Sequence, residues 1–175
     1  MRLRPATPTD LPTIAALMNK AFRGTGPNAS WNTESPYIDG DRTSIAALQQ
    51  ELAEKPNAHL LIAEEAAILQ GCVLLEPLTA NTWYLGSLTV DPHLQNAGLG
   101  RQLLEAAEQW ASQHGATTLQ MTVVNVRDTL IAWYQRRGYH LTGEQHPFPY
   151  NDTRFGTPRR DDLSFVILEK QLSTP

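Results

Sequence analysis

"LTVDPHLQNAGLGRQLLEAAEQWA", Leu88 to Ala111, is the stretch on which the reading of this chain turns. An apolar strand-like segment enters a short polar turn and then opens a helix with Gly98 and Gly100. Each glycine costs about 1 kcal/mol relative to alanine in a helix interior, so something must require the missing side chains. One use is electrostatic: a helix N-terminus carries unpaired N–H groups and partial positive charge, and glycines let an anion's oxygens reach them. The other is steric, because close packing of the helix start against a strand also favours small residues.

Composition narrows the field. The 175 residues fit one domain, 1–175, large enough to bury a core without disulfides or structural metal. Eighteen acidic and fourteen basic residues leave a formal charge of -4, and no basic block offers itself to a phosphate backbone, so no nucleic-acid partner is expected. The single cysteine, Cys72, sits in the apolar run "GCVLLEP" and reads as a small buried hydrophobe. The start "MRLRPATPTD" has no apolar signal core, and no run approaches the ~18 apolar residues of a membrane span. A cytoplasmic protein with no membrane partner is the expectation.

Working outward from the quoted stretch, periodicity assigns the other elements. A strand over Arg2–Ala6 precedes a helix from Asp10 to Phe22, with Leu11, Ile14, Ala15, Leu17 and Met18 on one face and Thr9 as its N-cap. Arg23 to Arg42 has the Gly, Pro, Asn and Asp content of a long loop. A second helix, Thr43–Glu54, stops before Pro56. "HLLIAEE", "ILQGCVLLE" and "TWYLGSLTV" then read as an antiparallel meander. The helix opened by Gly98 runs to His114, and a strand follows over Thr117–Val124. A helix over Arg127–Arg137 ends at Gly138 as a C-cap glycine should. "YHLTGEQ" and "DLSFVILEK" close the chain, giving the order βααβββαβαββ in an α/β fold.

The glycine run is neither of two well-known phosphate motifs. Arg101 and Gln102 stand where a Walker loop needs Lys and Ser or Thr, and the dinucleotide spacing G-x-G-x-x-G is absent. Gln95-Asn96-Ala97-Gly98-Leu99-Gly100 instead resembles the Q/R-x-x-G-x-G/A pyrophosphate loop of the GNAT superfamily of N-acyltransferases. "LGSLTVDP" is similar to that family's fourth strand, and "AWYQRRGYHLTGE" to its closing motif. The resemblance implies a mixed, mostly antiparallel central sheet with helices on both faces.

For chemistry, the resemblance implies acetyl-CoA as co-substrate. Its pyrophosphate would lie on the backbone amides of Asn96, Ala97, Gly98, Leu99, Gly100 and Arg101, with Gln95 shaping the turn. The pantetheine arm would pair with Leu88, Thr89 and Val90 like an added strand. Tyr134 matches the tyrosine that returns a proton to the departing thiolate. The asparagine that many relatives carry seven residues before the tyrosine is Arg127 here, and Asn125 is the alternative contact for CoA. Tyr84 and Thr122 occupy the strand positions where some relatives place a glutamate base. The base is left among Glu76, Glu144, His146 and a water chain. No histidine pair has metal-ligand spacing, and no metal is expected.

The acceptor would lie between two loops. The first offers Trp31, Tyr37, Glu34, Asp39 and Asp41, suited to a cationic amine; the second offers Phe148, Tyr150, Arg154, Phe155, Arg159 and Arg160, suited to an anion. The expected acceptor is a primary amine of a small molecule such as an amino acid derivative, with Trp31, Tyr37, Glu76 and Glu144 as candidate contacts. The same charges could equally form local ion pairs worth little. A peptide or protein amine, or a CoA-binding sensor without turnover, are the competing readings. The family's habit of pairing extends the expectation to a homodimer.

Overall fold

Apolar runs and period-two alternation place the strands, and 3.6-residue periodicity places the helices. The computed structural model describes residues 1–173, and its first half contains β1 (Leu3–Pro5), α1 (Leu11–Arg23), β2 (Ile38–Asp39), α2 (Ile45–Glu54), β3 (His59–Glu65) and β4 (Ile68–Pro77). The rest contains β5 (Thr82–Val90), α3 (Leu99–Gln113), β6 (Thr118–Val124), α4 (Asp128–Gln135), β7 (His140–Pro147), β8 (Thr157–Pro158) and β9 (Ser164–Gln171). Seven strands form one sheet in the order β1-β3-β4-β5-β6-β9-β7, antiparallel throughout except between β5 and β6.

Helices cover both faces of this sheet. Leu11, Ile14, Leu17 and Met18 of α1 and Leu48 of α2 pack on Leu60, Ile62, Cys72 and Leu74. On the opposite face Leu103, Leu104 and Ala107 of α3 and Leu130, Ile131 and Tyr134 of α4 pack on Leu61, Val73, Leu75 and Leu85. Alternate residues of β3 and β4 therefore serve two cores, which is why these strands read as continuous apolar runs.

Two features of β5 create the site. Its parallel pairing with β6 covers only Thr82–Tyr84 against Thr118–Gln120, so the strands separate beyond Tyr84 and open a cleft in the sheet. On its other edge the register jumps from Cys72↔Thr89 to Leu74↔Gly86, leaving Ser87 and Leu88 opposite Val73 alone. This β-bulge, with Ser87 at φ 51°, re-aims the backbone at the mouth of the cleft.

Local differences from the expected elements have physical causes. Pro8–Asp10 forms a 3-10 turn capped by Thr7, whose N–H donates to the Asp10 carboxylate at 2.7 Å, and the N-cap position of α1 itself falls on Asp10, not on Thr9. The second helix begins two residues late because Ser44 caps it, accepting from the Ala47 N–H at 3.0 Å. Gly98 lies outside α3, at φ +74°, as the hinge between a 3-10 turn over Pro92–Ala97 and the helix. The long loop is not free of strand: Ile38 and Asp39 pair with Pro158 and Thr157, clamping it to the loop before β9.

Candidate active site

Two cavities open at the cleft. The first, about 300 Å³, lies between the start of α3 and α4, with Leu88, Thr89, Val90, Gln95, Gly98, Gly100, Arg101, Trp133 and Tyr134 in its wall. The second, about 370 Å³, lies on the α1 and α2 face of the splayed strands and includes Tyr84, Gly86, Thr122, Val124, Arg23, Arg42 and Arg127. Phe22, Asn32, Leu88, Leu130 and Tyr134 belong to both walls, so the cavities meet there.

The question of the two glycines is answered by what a side chain would touch. A Cβ on Gly98 meets nothing within 4 Å, and one on Gly100 makes an ordinary 3.6 Å contact with the Trp133 ring. Neither glycine is held by packing against a strand. Gly98 is needed for its left-handed backbone, and both leave open space over the first turn of α3. That opening, beside unpaired helix amides, fits an anionic ligand such as pyrophosphate.

Gln95 fastens this turn to the long loop: its amide donates to Ser30 Oγ at 2.5 Å and accepts weakly from the Trp31 N–H at 3.4 Å. Trp31, half exposed, stands on the rim of the first cavity. Arg101 reaches the cavity while pairing with Glu105 at 2.8 Å in an exposed contact. The backbone of Leu88 to Val90 borders the cavity on the side of β5 that β6 has left.

Tyr134 is buried between Trp133 and Tyr139, with edge contacts at ring-centroid distances of 5.1 and 5.7 Å. Burial pushes its phenol up to about 12, against the opposing pull of Arg127. It is therefore a protonated donor at neutral pH. Among the described residues its hydroxyl has no hydrogen-bond partner, and Tyr134 lines both cavities.

Arg127 is buried in an ion-pair triad. Its guanidinium meets Glu34 at 3.1 Å and donates to the Asn32 carbonyl at 2.7 Å, while Arg23 approaches the other Glu34 oxygen at 3.3 Å. Arg23 also donates to the Gly40 and Phe155 carbonyls, at 3.0 and 2.5 Å. One arginine thus ties both loops to the end of α1. Gly156 is required there, since at φ +104° an added Cβ would meet the Arg23 guanidinium and fall 2.5 Å from the Asp39 carbonyl oxygen.

Other sequence candidates are placed elsewhere. Asn125 uses its amide to hold the start of β9, donating to the Asp162 carbonyl and accepting from the Ser164 N–H, both at 3.0 Å. Tyr37 packs in a satellite cluster with Ile38, Val124 and Leu163. Glu144 and His146 are exposed on the edge strand β7, away from both cavities. Glu76 pairs opposite Tyr84 in the β4–β5 register, on the same sheet face. Tyr84 and Thr122 bridge the cleft hydroxyl to hydroxyl at 2.8 Å. Cys72 is fully buried, and burial pushes its thiol up to about 12, which leaves it inert.

The loop carboxylates do not make an acidic pocket. Glu34 is neutralised by two arginines, Arg154 chelates Asp152, and Arg160 chelates Asp162 at 2.6 Å. Phe22, Arg23 and Asn32 sit at a helix end and in an aperiodic loop, where no sequence pattern marks them. Arg137 is likewise unmarked, and its guanidinium lies 3.8 Å from the Trp133 ring centroid in the first cavity's wall. Among the described residues no helix is long and apolar enough to cross a membrane, and no metal-binding cluster occurs.

Comparison with known proteins agrees with this geometry. The model of the acetyltransferase (GNAT) family matches residues 17–139. An uncharacterised N-acetyltransferase, YhfO of Bacillus subtilis (strain 168), is 28% identical over 144 residues, covering 79% of this chain and 89% of that protein. The ribosomal-protein-S18-alanine N-acetyltransferase of Escherichia coli superposes with a TM-score of 0.69 at 18% identity over 99% of this chain and 95% of that one. A GNAT family acetyltransferase from Elizabethkingia anophelis, solved with acetyl-CoA bound, gives 0.63 at 18% identity over 98% and 97%. With the family model spanning the cleft, the glycine turn and the Tyr134 helix, the chain belongs to the GNAT family and is an N-acetyltransferase that uses acetyl-CoA.

Proposed function

We propose that the first cavity holds acetyl-CoA, that the second holds the primary amine of a small molecule such as an amino acid derivative, and that transfer occurs by direct attack in a ternary complex. The observation that carries this reading is the meeting of the two cavities at Leu88 and Tyr134. Acetyl-CoA supplies the activated acyl group. The amides at Gly98 to Arg101 receive its pyrophosphate, and the freed edge of β5 at Leu88 to Val90 aligns the pantetheine arm.

N–H groups at the Ser87–Leu88 bulge face the charge that grows on the thioester carbonyl oxygen. As the new C–N bond forms and the C–S bond breaks, Tyr134 gives its proton to the departing sulfur. The amine's surplus proton leaves through water held near the Tyr84–Thr122 hydroxyl pair, with Glu76 across β5 as the nearest carboxylate by register. The paired carboxylate Glu34 is a scaffold and not the base.

Initial rates with both substrates varied test this reading. Intersecting double-reciprocal lines are the expected result, and parallel lines, the mark of an acetylated enzyme, would overturn it.

A further inference from the structure

Seven charged side chains line the second cavity, and among the described residues six of them are paired: Arg23 and Arg127 with Glu34, Lys55 with Glu51, and Asp152 with Arg154. The seventh, Arg42, forms no hydrogen bond or ion pair among the described residues. Its guanidinium instead lies over two rings, 5.3 Å from the Phe22 centroid and 5.0 Å from that of Phe155.

We propose that Arg42 is the specificity residue for the acceptor, and that the acceptor therefore carries a carboxylate or similar oxyanion close to its amine. This rests on the assignment of the second cavity to the acceptor.

The argument is geometric and electrostatic. Two aromatic rings lie against the guanidinium, while among the described residues its N–H groups have no partner. Those donors match a carboxylate in a bidentate fork, which an ammonium or a neutral amide cannot provide. The neighbouring triad carries one more positive than negative charge, so the cavity as a whole repels a second cation on the acceptor. Polyamines are excluded on that ground.

Phe22 also sets the distance. The same ring lines the junction with the first cavity and carries Arg42. The anion must then lie within about the width of one side chain from the amine under attack, as in an α- or β-amino acid. A long chain with amine and acid at opposite ends does not fit this spacing.

The test uses the full chain saturated with CoA and two product-like probes, N-acetyl-L-phenylalanine and its carboxamide, in titration calorimetry. The acid is expected to bind at least 10-fold more tightly than the amide, and Arg42→Gln to abolish that preference. Arg42→Lys is expected to recover part of it, while both variants keep the wild-type melting temperature and affinity for acetyl-CoA. Equal binding of acid and amide, failure of the acid to bind at millimolar concentration, or an undiminished preference in Arg42→Gln would overturn the proposal. Failure of the wild-type protein to bind acetyl-CoA, titrated before the probes, would instead overturn the assignment of the cavities.

Discussion

Glu34 and Arg127, 93 positions apart in sequence, meet in a buried ion pair of 3.1 Å that joins the long loop to the start of α4. Arg23 completes it from the end of α1. The three side chains are each less than a tenth exposed, so the charges rely on one another and not on water.

Removing the shared carboxylate should therefore be costly. Glu34→Gln leaves two guanidiniums buried without a counter-charge, and a loss of about 3–5 kcal/mol is expected. Urea unfolding measures it directly. A loss under about 1 kcal/mol would show that the triad is hydrated and does not organise the loops.

The glycine turn separates folding from ligand binding. Gly100→Ala adds a better helix former whose Cβ meets only the Trp133 ring at 3.6 Å, so the fold should hold or gain up to about 1 kcal/mol. Acetyl-CoA affinity should nonetheless fall, by 10-fold or more, because the new methyl stands over the helix amides. Thermal melting and calorimetry on one sample check both halves. Gly98→Val should lose stability as well, since its backbone at φ +74° costs an L-residue about 1–2 kcal/mol.

Tyr134 should act as a proton donor over an unusually wide range. With its phenol near 12, single-turnover transfer should show no decline from this residue at pH 10, where an ordinary tyrosine is half ionised. Tyr134→Phe should lower kcat about 10²-fold or more and leave the acetyl-CoA dissociation constant within about twofold. A normal kcat in that variant would remove the acid role.

Buried tyrosines also set a limit on stability at high pH. Tyr134 and Tyr37 are both raised from 10.0 to about 12 by burial. The folded state then keeps protons that the unfolded chain releases, so this stabilisation is complete below pH 10 and falls as pH rises towards 12. The slope approaches about 1.4 kcal/mol per pH unit for Tyr134, with less from the more exposed Tyr37. Urea midpoints at pH 8, 10 and 11 should decline slightly by the second point and steeply after it.

The parts of this structure legible in sequence are those written as periodicity. "HLLIAEE" and "TWYLGSLTV" are strands to the residue, and the buried face of α1 is the one the apolar spacing marks. The loops were harder to read because their order comes from partners far away in sequence. Arg23 is held by the Phe155 carbonyl, and Ile38 by Pro158, and neither contact leaves a local pattern. Arg127 stood out as a departure from the family's asparagine, yet its role became clear only with Glu34 beside it. The same applies to the acceptor loops, where Glu34, Asp39, Asp152 and Asp162 each meet an arginine. Arg42, at the end of the first of these loops, carries no local pattern to show that Phe22 and Phe155 are its neighbours.

The central claim is that acetyl-CoA and an amine occupy adjoining cavities at Tyr134. The most direct measurement is calorimetric titration with acetyl-CoA, followed on the same sample by thiol release against amino acids, polyamines and peptides. The account predicts binding, with release that depends on an added amino acid and not on a polyamine. Absence of binding, or thiol release that is indifferent to the acceptor, would contradict it.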